Sequence, residues 1–186
     1  MEINEKIPGW KSISHLTTMA EIVQKLPLNA RIVEIGSGLG RLTWVLSKNA
    51  PDGSIVYAID TWEHLKLDKN NSEFCVNCDE NTIITKEEFL RHMDDCDNIV
   101  TIQKAFPFEW EHDKVDMIFI DAEEKYEIQI SYLEQAFKMI KPNGIICGED
   151  YNDQQFPGLV QAVNEMAKIH NKEIQFPKYT WLWRYI

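Results

Sequence analysis

Acids recur at the places where an alternating strand–helix chain would end its strands. Glu34 stands two residues before Gly36-Ser37-Gly38-Leu39-Gly40, Asp60 closes an apolar run, Asp121 closes another, and Glu149 and Asp150 follow a third. Carboxylates accept hydrogen bonds from hydroxyl and ammonium groups and bind hard cations. A glycine-rich turn between a strand and a helix lets backbone N–H groups approach a ligand closely. In doubly wound sheets, ligands sit at the carboxyl ends of the strands, so acids from four strand ends are expected to face one crevice. Solvated loop acids in an acidic chain are the plain alternative. That alternative explains any single acid better than it explains the whole set. A dinucleotide site expects G-x-G-x-x-G, whereas this turn reads G-x-G-x-G after an acid.

A second constellation lies downstream. Cys75-x2-Cys78 is followed, after thirteen intervening residues, by His92-x3-Cys96. The spacing approaches that of a structural zinc site in which Cys75, Cys78, His92 and Cys96 fill all four positions. The alternative is two loop thiols beside an ordinary helix carrying His92 and Cys96. His15, His64, His112 and His170 are isolated, with surface or capping roles expected.

The elements that must position these groups follow from periodicity. Ser12 or Ser14 caps a first helix with Leu16, Met19, Val23 and Leu26 at helical spacing, and Pro27 stops it. Residues 31–35 read as a β-branched strand, and 41–49 as a helix. Strands are predicted at 54–59, 99–102, 115–120 and 145–147. Helices are predicted at 85–93, opened by the capping box Thr85-Lys86-Glu87-Glu88, after Asp121 with Ile130, Leu133, Phe137 and Ile140 on one face, and at 159–169. Residues 173–176 and 180–186 read as β-like pieces split by Pro177-Lys178. The fold class is α/β: a Rossmann-like doubly wound, seven-stranded sheet with a C-terminal β-hairpin and one antiparallel strand. Residues 1–186 read as one domain. Residues 61–97 read as a lid or insertion that zinc would stabilise.

Bulk composition narrows the function classes. The chain has 186 residues, 44% of them hydrophobic, and a formal net charge of −11. That sign repels phosphate backbones and anionic lipid, so neither nucleic acid nor membrane is an expected partner. No apolar run approaches a membrane span, and residues 1–10 lack a signal-peptide core, which predicts a cytoplasmic protein. Its cysteines are then expected as thiols or metal ligands rather than disulfides.

With these residues in view, the chain resembles the class I S-adenosylmethionine-dependent methyltransferases. It is similar to a bacterial small-molecule O-methyltransferase family related to catechol and macrocin O-methyltransferase-like enzymes. The segments that carry the resemblance are Ile7-Pro8-Gly9-Trp10, residues 33–43, Ala58-Ile59-Asp60-Thr61-Trp62, residues 119–127 and residues 139–151. Together they span about residues 7–155 in the family's order.

The resemblance implies S-adenosyl-L-methionine as cofactor, held by Glu34, Gly36, Ser37, Gly38, Gly40, Asp60, Thr61, Trp62, Ala105, Phe106 and Asp121. Glu34 would lie near the amino group and Asp60 on the ribose hydroxyls. Trp62, or the Ala105-Phe106 segment, would border adenine, with a packing role in the lid as the alternative for Trp62. Asp121, Glu149 and Asp150 would hold a divalent cation, Mg²⁺ or Ca²⁺, or else contact cofactor and substrate directly. Asp121, Asp150 and Lys125 are the catalytic candidates. Glu124 stands where relatives carry a histidine, leaving Lys125, Tyr126 or a metal-bound substrate to take its part. The expected partner is a small-molecule acceptor, methylated at a hydroxyl; a homodimer is one assembly open to the chain, and the sequence does not fix the oligomeric state. The rival readings are a non-catalytic methyltransferase-like binding protein and a nicotinamide-dependent oxidoreductase.

Overall fold

A computed structural model describes residues 1–63, 65–67, 74–178 and 180–184. Six strands form the main sheet: β1 (Arg31–Ile35), β2 (Ile55–Asp60), β5 (Ile99–Gln103), β6 (Val115–Ile120), β7 (Ile140–Gly148) and β8 (Trp181–Arg184). Their order is β5-β2-β1-β6-β7-β8, and every pairing is parallel except β7 with β8. Strands β3 (Leu65–Lys66) and β4 (Ile83–Ile84) make a separate antiparallel pair. The described helices are α1 (Ile13–Val23), α2 (Arg41–Asn49), α3 (Lys86–His92), α4 (Tyr126–Met139) and α5 (Pro157–Ile169). Ser12 caps α1 through the His15 amide, and Thr85 caps α3 through the Glu88 amide, as the cap residues predict.

Alternation along β1 and β6 divides the core. Ile32, Met117 and Phe119 face α1 and α2, packing with Leu16, Met19, Leu42 and Val45. Val33, Ile35, Ile118 and Ile120 face the other side, with Leu133 of α4 and Ala162 and Val163 of α5. Asp116 is the one acid in β6. Its carboxylate accepts the Arg31 amide and pairs with Lys141 Nζ, each at 2.8 Å. The sheet order reverses between β1 and β6, which places the switch point, and hence the crevice, at the ends of those two strands.

The strand count needs correction, because among the described residues the main sheet has six strands rather than seven. Residues 173–176 form only a single bridge, Gln175 to Leu182, closed by two backbone hydrogen bonds. Pro177 has no amide proton with which to extend that ladder. The predicted final strand is β8, and its expected continuation at residues 185–186 lies outside the described residues, as does His64.

Candidate active site

The crevice is a cavity of about 1430 Å³ over the carboxyl ends of the strands. One side is built by the turn after β1. The Gly36 amide donates to the Ile59 carbonyl and the Asp121 amide to the Ile35 carbonyl, locking turn, β2 and β6 together. At Gly36 the fit is close: a Cβ would lie 1.8 Å from the Asp121 carbonyl oxygen. At Gly38 a Cβ would meet nothing within 4 Å. The backbone there borders the open space of the cavity.

Asp60 organises the same side. Its Oδ2 accepts the Gly38 amide at 2.8 Å, and its Oδ1 accepts the Trp62 amide at 2.9 Å. Each oxygen keeps a lone pair for a ligand hydroxyl. The Trp62 indole is wall rather than free platform. Its Nε1–H donates to the Gly38 carbonyl at 2.8 Å, and its ring packs against Phe89 at 4.9 Å. Glu34 lies beneath the turn, accepting a hydrogen bond from Thr43. Burial pushes its carboxyl up to about 7, with Thr43 and Lys11 pulling the other way.

Asp121, Glu149 and Asp150 line the other side, with carboxylate oxygens within 4.8 Å of one another. Lys11 sits among them, its Nζ paired with both Asp121 Oδ2 and Glu149 Oε1. His15 Nδ1 lies 2.8 Å from Glu149 Oε2, and His15 Nε2 lies 3.0 Å from the Thr180 hydroxyl. Burial alone would release the Lys11 proton, but Asp121 and Glu149 outweigh it and hold the ammonium well above its ordinary range. The two acids share that ammonium unequally. Burial opposes charge on Glu149, yet Lys11 and the His15 hydrogen bond keep it at about 2. Asp121 is the one raised, by burial first and then by the neighbouring Glu149 charge. Burial and Glu149 raise Asp150 too.

Most sequence-expected residues meet in this cavity. Glu34, Gly36, Ser37, Gly38, Asp60, Thr61, Trp62, Ala105, Phe106, Asp121, Glu149 and Asp150 all line it, as does Glu124. Three expectations do not hold. Gly40 packs against Met93 and Phe89 rather than lining the cavity. Lys125 points to solvent, its side chain 71% exposed and paired with Glu123 at 3.3 Å. Tyr126, its alternative, donates its hydroxyl to Glu165 outside the cavity.

The zinc set is not assembled. Among the described residues the cluster spaced for a metal is Asp121, Glu149 and Asp150. Cys75 and Cys78 form a disulfide, against the expectation of thiols. His92 Nδ1 lies 2.8 Å from the Leu39 carbonyl, and Cys96 lies beside Asp95. The cysteine pair and the helix carrying His92 are held by different neighbours, so their sequence spacing does not become a coordination shell. The three acids have the hard-oxygen chemistry of an Mg²⁺ or Ca²⁺ site. As folded they are not an open one, since Lys11 already engages two of them.

Lys11, His15, Arg41 and Thr43 are the site residues that motif reading missed. The signal for Lys11 was its place immediately after Ile7-Pro8-Gly9-Trp10. Arg41, the first residue of α2, explains how that segment is held. Its guanidinium donates to the carbonyls of Glu5, Ile7 and Lys11.

Comparison with known proteins agrees with this geometry. A family model described as "Methyltransferase domain" matches residues 33–151. No curated protein sequence matches the chain. Among solved structures, the O-methyltransferase NovP is similar with a TM-score of 0.67 and 15% identity, over 93% of this chain and 80% of that one. An O-methyltransferase from Bacillus cereus, in complex with SAH, has a TM-score of 0.57 and 16% identity, over 94% of this chain and 82% of that one. A precorrin-6y C5,15-methyltransferase from Geobacter metallireducens has a TM-score of 0.61 and 11% identity, over 94% of this chain and 78% of that one. At these identities the likeness is one of fold.

Proposed function

The chain belongs to the methyltransferase-domain family, and on that premise we propose that it is an S-adenosylmethionine-dependent O-methyltransferase acting on a small molecule. One observation carries the reading. The open glycine backbone at Gly38, fastened to the Asp60 carboxylate, shares a single cavity with the polar cluster of Lys11, Asp121, Glu149 and Asp150. A donor side and an acceptor side therefore meet in one space. The solved O-methyltransferase in complex with SAH supports the choice of donor.

The residues take roles that follow from their chemistry. Asp60 accepts the ribose hydroxyls through the lone pairs left by its two amide partners. Glu34 receives the ammonium group, which suits a buried acid whose side-chain hydrogen-bond partners are the neutral hydroxyls of Thr43 and Ser37. Ala105 and Phe106 border the adenine, with Trp62 setting the wall behind. When bound, the cofactor supplies a sulfonium methyl that passes to the acceptor oxygen while sulfur keeps the electron pair of the broken C–S bond. Asp150 takes the proton that this oxygen gives up. Its carboxyl is raised toward a useful basicity and faces the cavity. The rest of the cavity aligns the acceptor, the largest help a protein gives to such a displacement.

Titration calorimetry with S-adenosylhomocysteine tests the reading. Saturable micromolar binding is expected, weakened at least about tenfold in Asp60→Ala, where a charge-assisted hydrogen-bond acceptor is lost. No heat of binding at millimolar ligand would sink it.

A further inference from the structure

Three carboxylates at the strand ends have the composition of a divalent-cation site, but a lysine of this chain occupies the space between two of them. Lys11 reaches the cluster from residues 7–12, a segment fixed by Arg41 on one side and by pairing of Gly9 with Val76 on the other. Its side chain is only 7% exposed. Two of its three N–H donors go to Asp121 and Glu149. The third has no hydrogen-bond partner among the described residues, and Lys11 lines the cavity. The other Glu149 oxygen is taken by His15 Nδ1 at 2.8 Å, and Thr180 holds the second ring nitrogen of His15, so both oxygens of that carboxylate are engaged.

We infer that Lys11 is the resident cation of the acceptor site, its ammonium standing where a divalent ion would otherwise bind and its third N–H directed at the acceptor oxygen. The inference rests on the methyltransferase reading for the word acceptor, though not for the placement of the charge. Electrostatics makes the two occupants exclusive. Like charges at contact distance in a partly buried site repel strongly, and a divalent ion doubles the charge that the ammonium would face. Ejecting Lys11 would leave a buried ammonium without its partners, which is as unfavourable. The protein thus positions and polarises an acceptor oxygen with a point charge it carries itself. An ammonium can only donate hydrogen bonds, so this charge selects a single oxygen rather than bridging a vicinal pair as a coordinated metal can. The acceptor class that fits is a lone hydroxyl or a phenol, not an obligatory catechol.

The test uses Mn²⁺ alone, read by calorimetry and by the electron paramagnetic resonance of the free ion. Wild-type protein is expected to show no saturable binding at millimolar Mn²⁺. Lys11→Met opens the three carboxylates and is expected to bind Mn²⁺ at least about 100-fold more tightly. Lys11→Arg retains the charge and is expected to behave as wild type. Amine labelling followed by mass spectrometry probes the unaltered protein, so the result does not depend on the variants folding. Lys11 is expected to stay unmodified, with or without Mn²⁺, under conditions that label Lys125. Mn²⁺ binding by wild type, labelling of Lys11 once Mn²⁺ is added, or a folded Lys11→Met that still binds no Mn²⁺ overturns the inference. None of these readouts needs the methyl donor, so a failure here leaves S-adenosylhomocysteine binding, and the reading it tests, standing or falling separately.

Discussion

Glu34 shows how much one buried carboxyl can encode. It is 2% exposed, and burial raises it to about 7. Four groups act on it: the Thr43 hydroxyl, Lys11 and the Ser37 hydroxyl favour its charge, and Asp60 opposes it. Its folded value lies above its unfolded value of about 4.5, so its contribution to stability is fully present below pH 4.5. That contribution is lost as pH rises through about 7. The loss amounts to about 3 kcal/mol if all of the shift is realised. Glu34→Gln is expected to flatten the fall in unfolding free energy across pH 4.5–7, measured by urea titration at each pH. An unchanged slope would remove Glu34 as its source. Because an ammonium ligand needs the charged form, S-adenosylhomocysteine should bind about tenfold more weakly at pH 6 than at pH 8, and Glu34→Gln should lose that dependence. The acid was legible in the sequence from its place before the glycines. Its protonation was not, since it depends on what covers it.

The turn between β1 and α2 separates two jobs that one motif spells in the same letters. Gly36 is constrained by the protein itself, its missing Cβ replaced by the Asp121 carbonyl across the switch point. Gly38 faces the cavity. Gly36→Ala is therefore expected to cost more than about 3 kcal/mol, because a backbone contact at a positive φ cannot yield. Gly38→Ala, also at positive φ, should cost only about 1 kcal/mol in stability while losing most S-adenosylhomocysteine binding. Thermal unfolding and calorimetry on both variants check this; equal effects on stability would refute the division. The parallel strands were readable because each is a short β-branched or apolar run ending in an acid. The strand expected at 173–176 was misread because a β-like composition does not tell a ladder from a single bridge. The spacing of Cys75, Cys78, His92 and Cys96 misled for a similar reason. Sequence distance fixes how far apart residues lie along the chain, not which neighbours hold them.

At the scale of the molecule, a net charge of −11 surrounds a cavity lined by Glu34, Asp60, Glu63, Asp121, Glu124, Glu149 and Asp150 against Lys11, Arg41, Lys66 and Lys104. S-adenosylmethionine carries one net positive charge and S-adenosylhomocysteine none. Raising salt from about 20 to 300 mM shortens the screening length severalfold, so it should weaken the first by a larger factor than the second. Parallel titrations of the two ligands measure this, and identical salt slopes would show that the field plays no part in donor capture. No described helix is long and apolar enough to cross a membrane. The α/β class and the glycine-turn side of the cavity were legible because they lie within consecutive strand–turn–helix units. The side around Lys11 was not. It draws Lys11 and His15 from the start of the chain onto Asp121 and Glu149, with Thr180 from near the end bonded to His15, and no local pattern records contacts 110 to 165 residues apart. Arg41 ties these halves together. It follows the glycine turn by one peptide unit and grips the carbonyl of Lys11. The glycine turn and the segment bearing the ammonium therefore share one anchor at the start of α2, and the spacing between the two sides of the cavity is set by a single guanidinium.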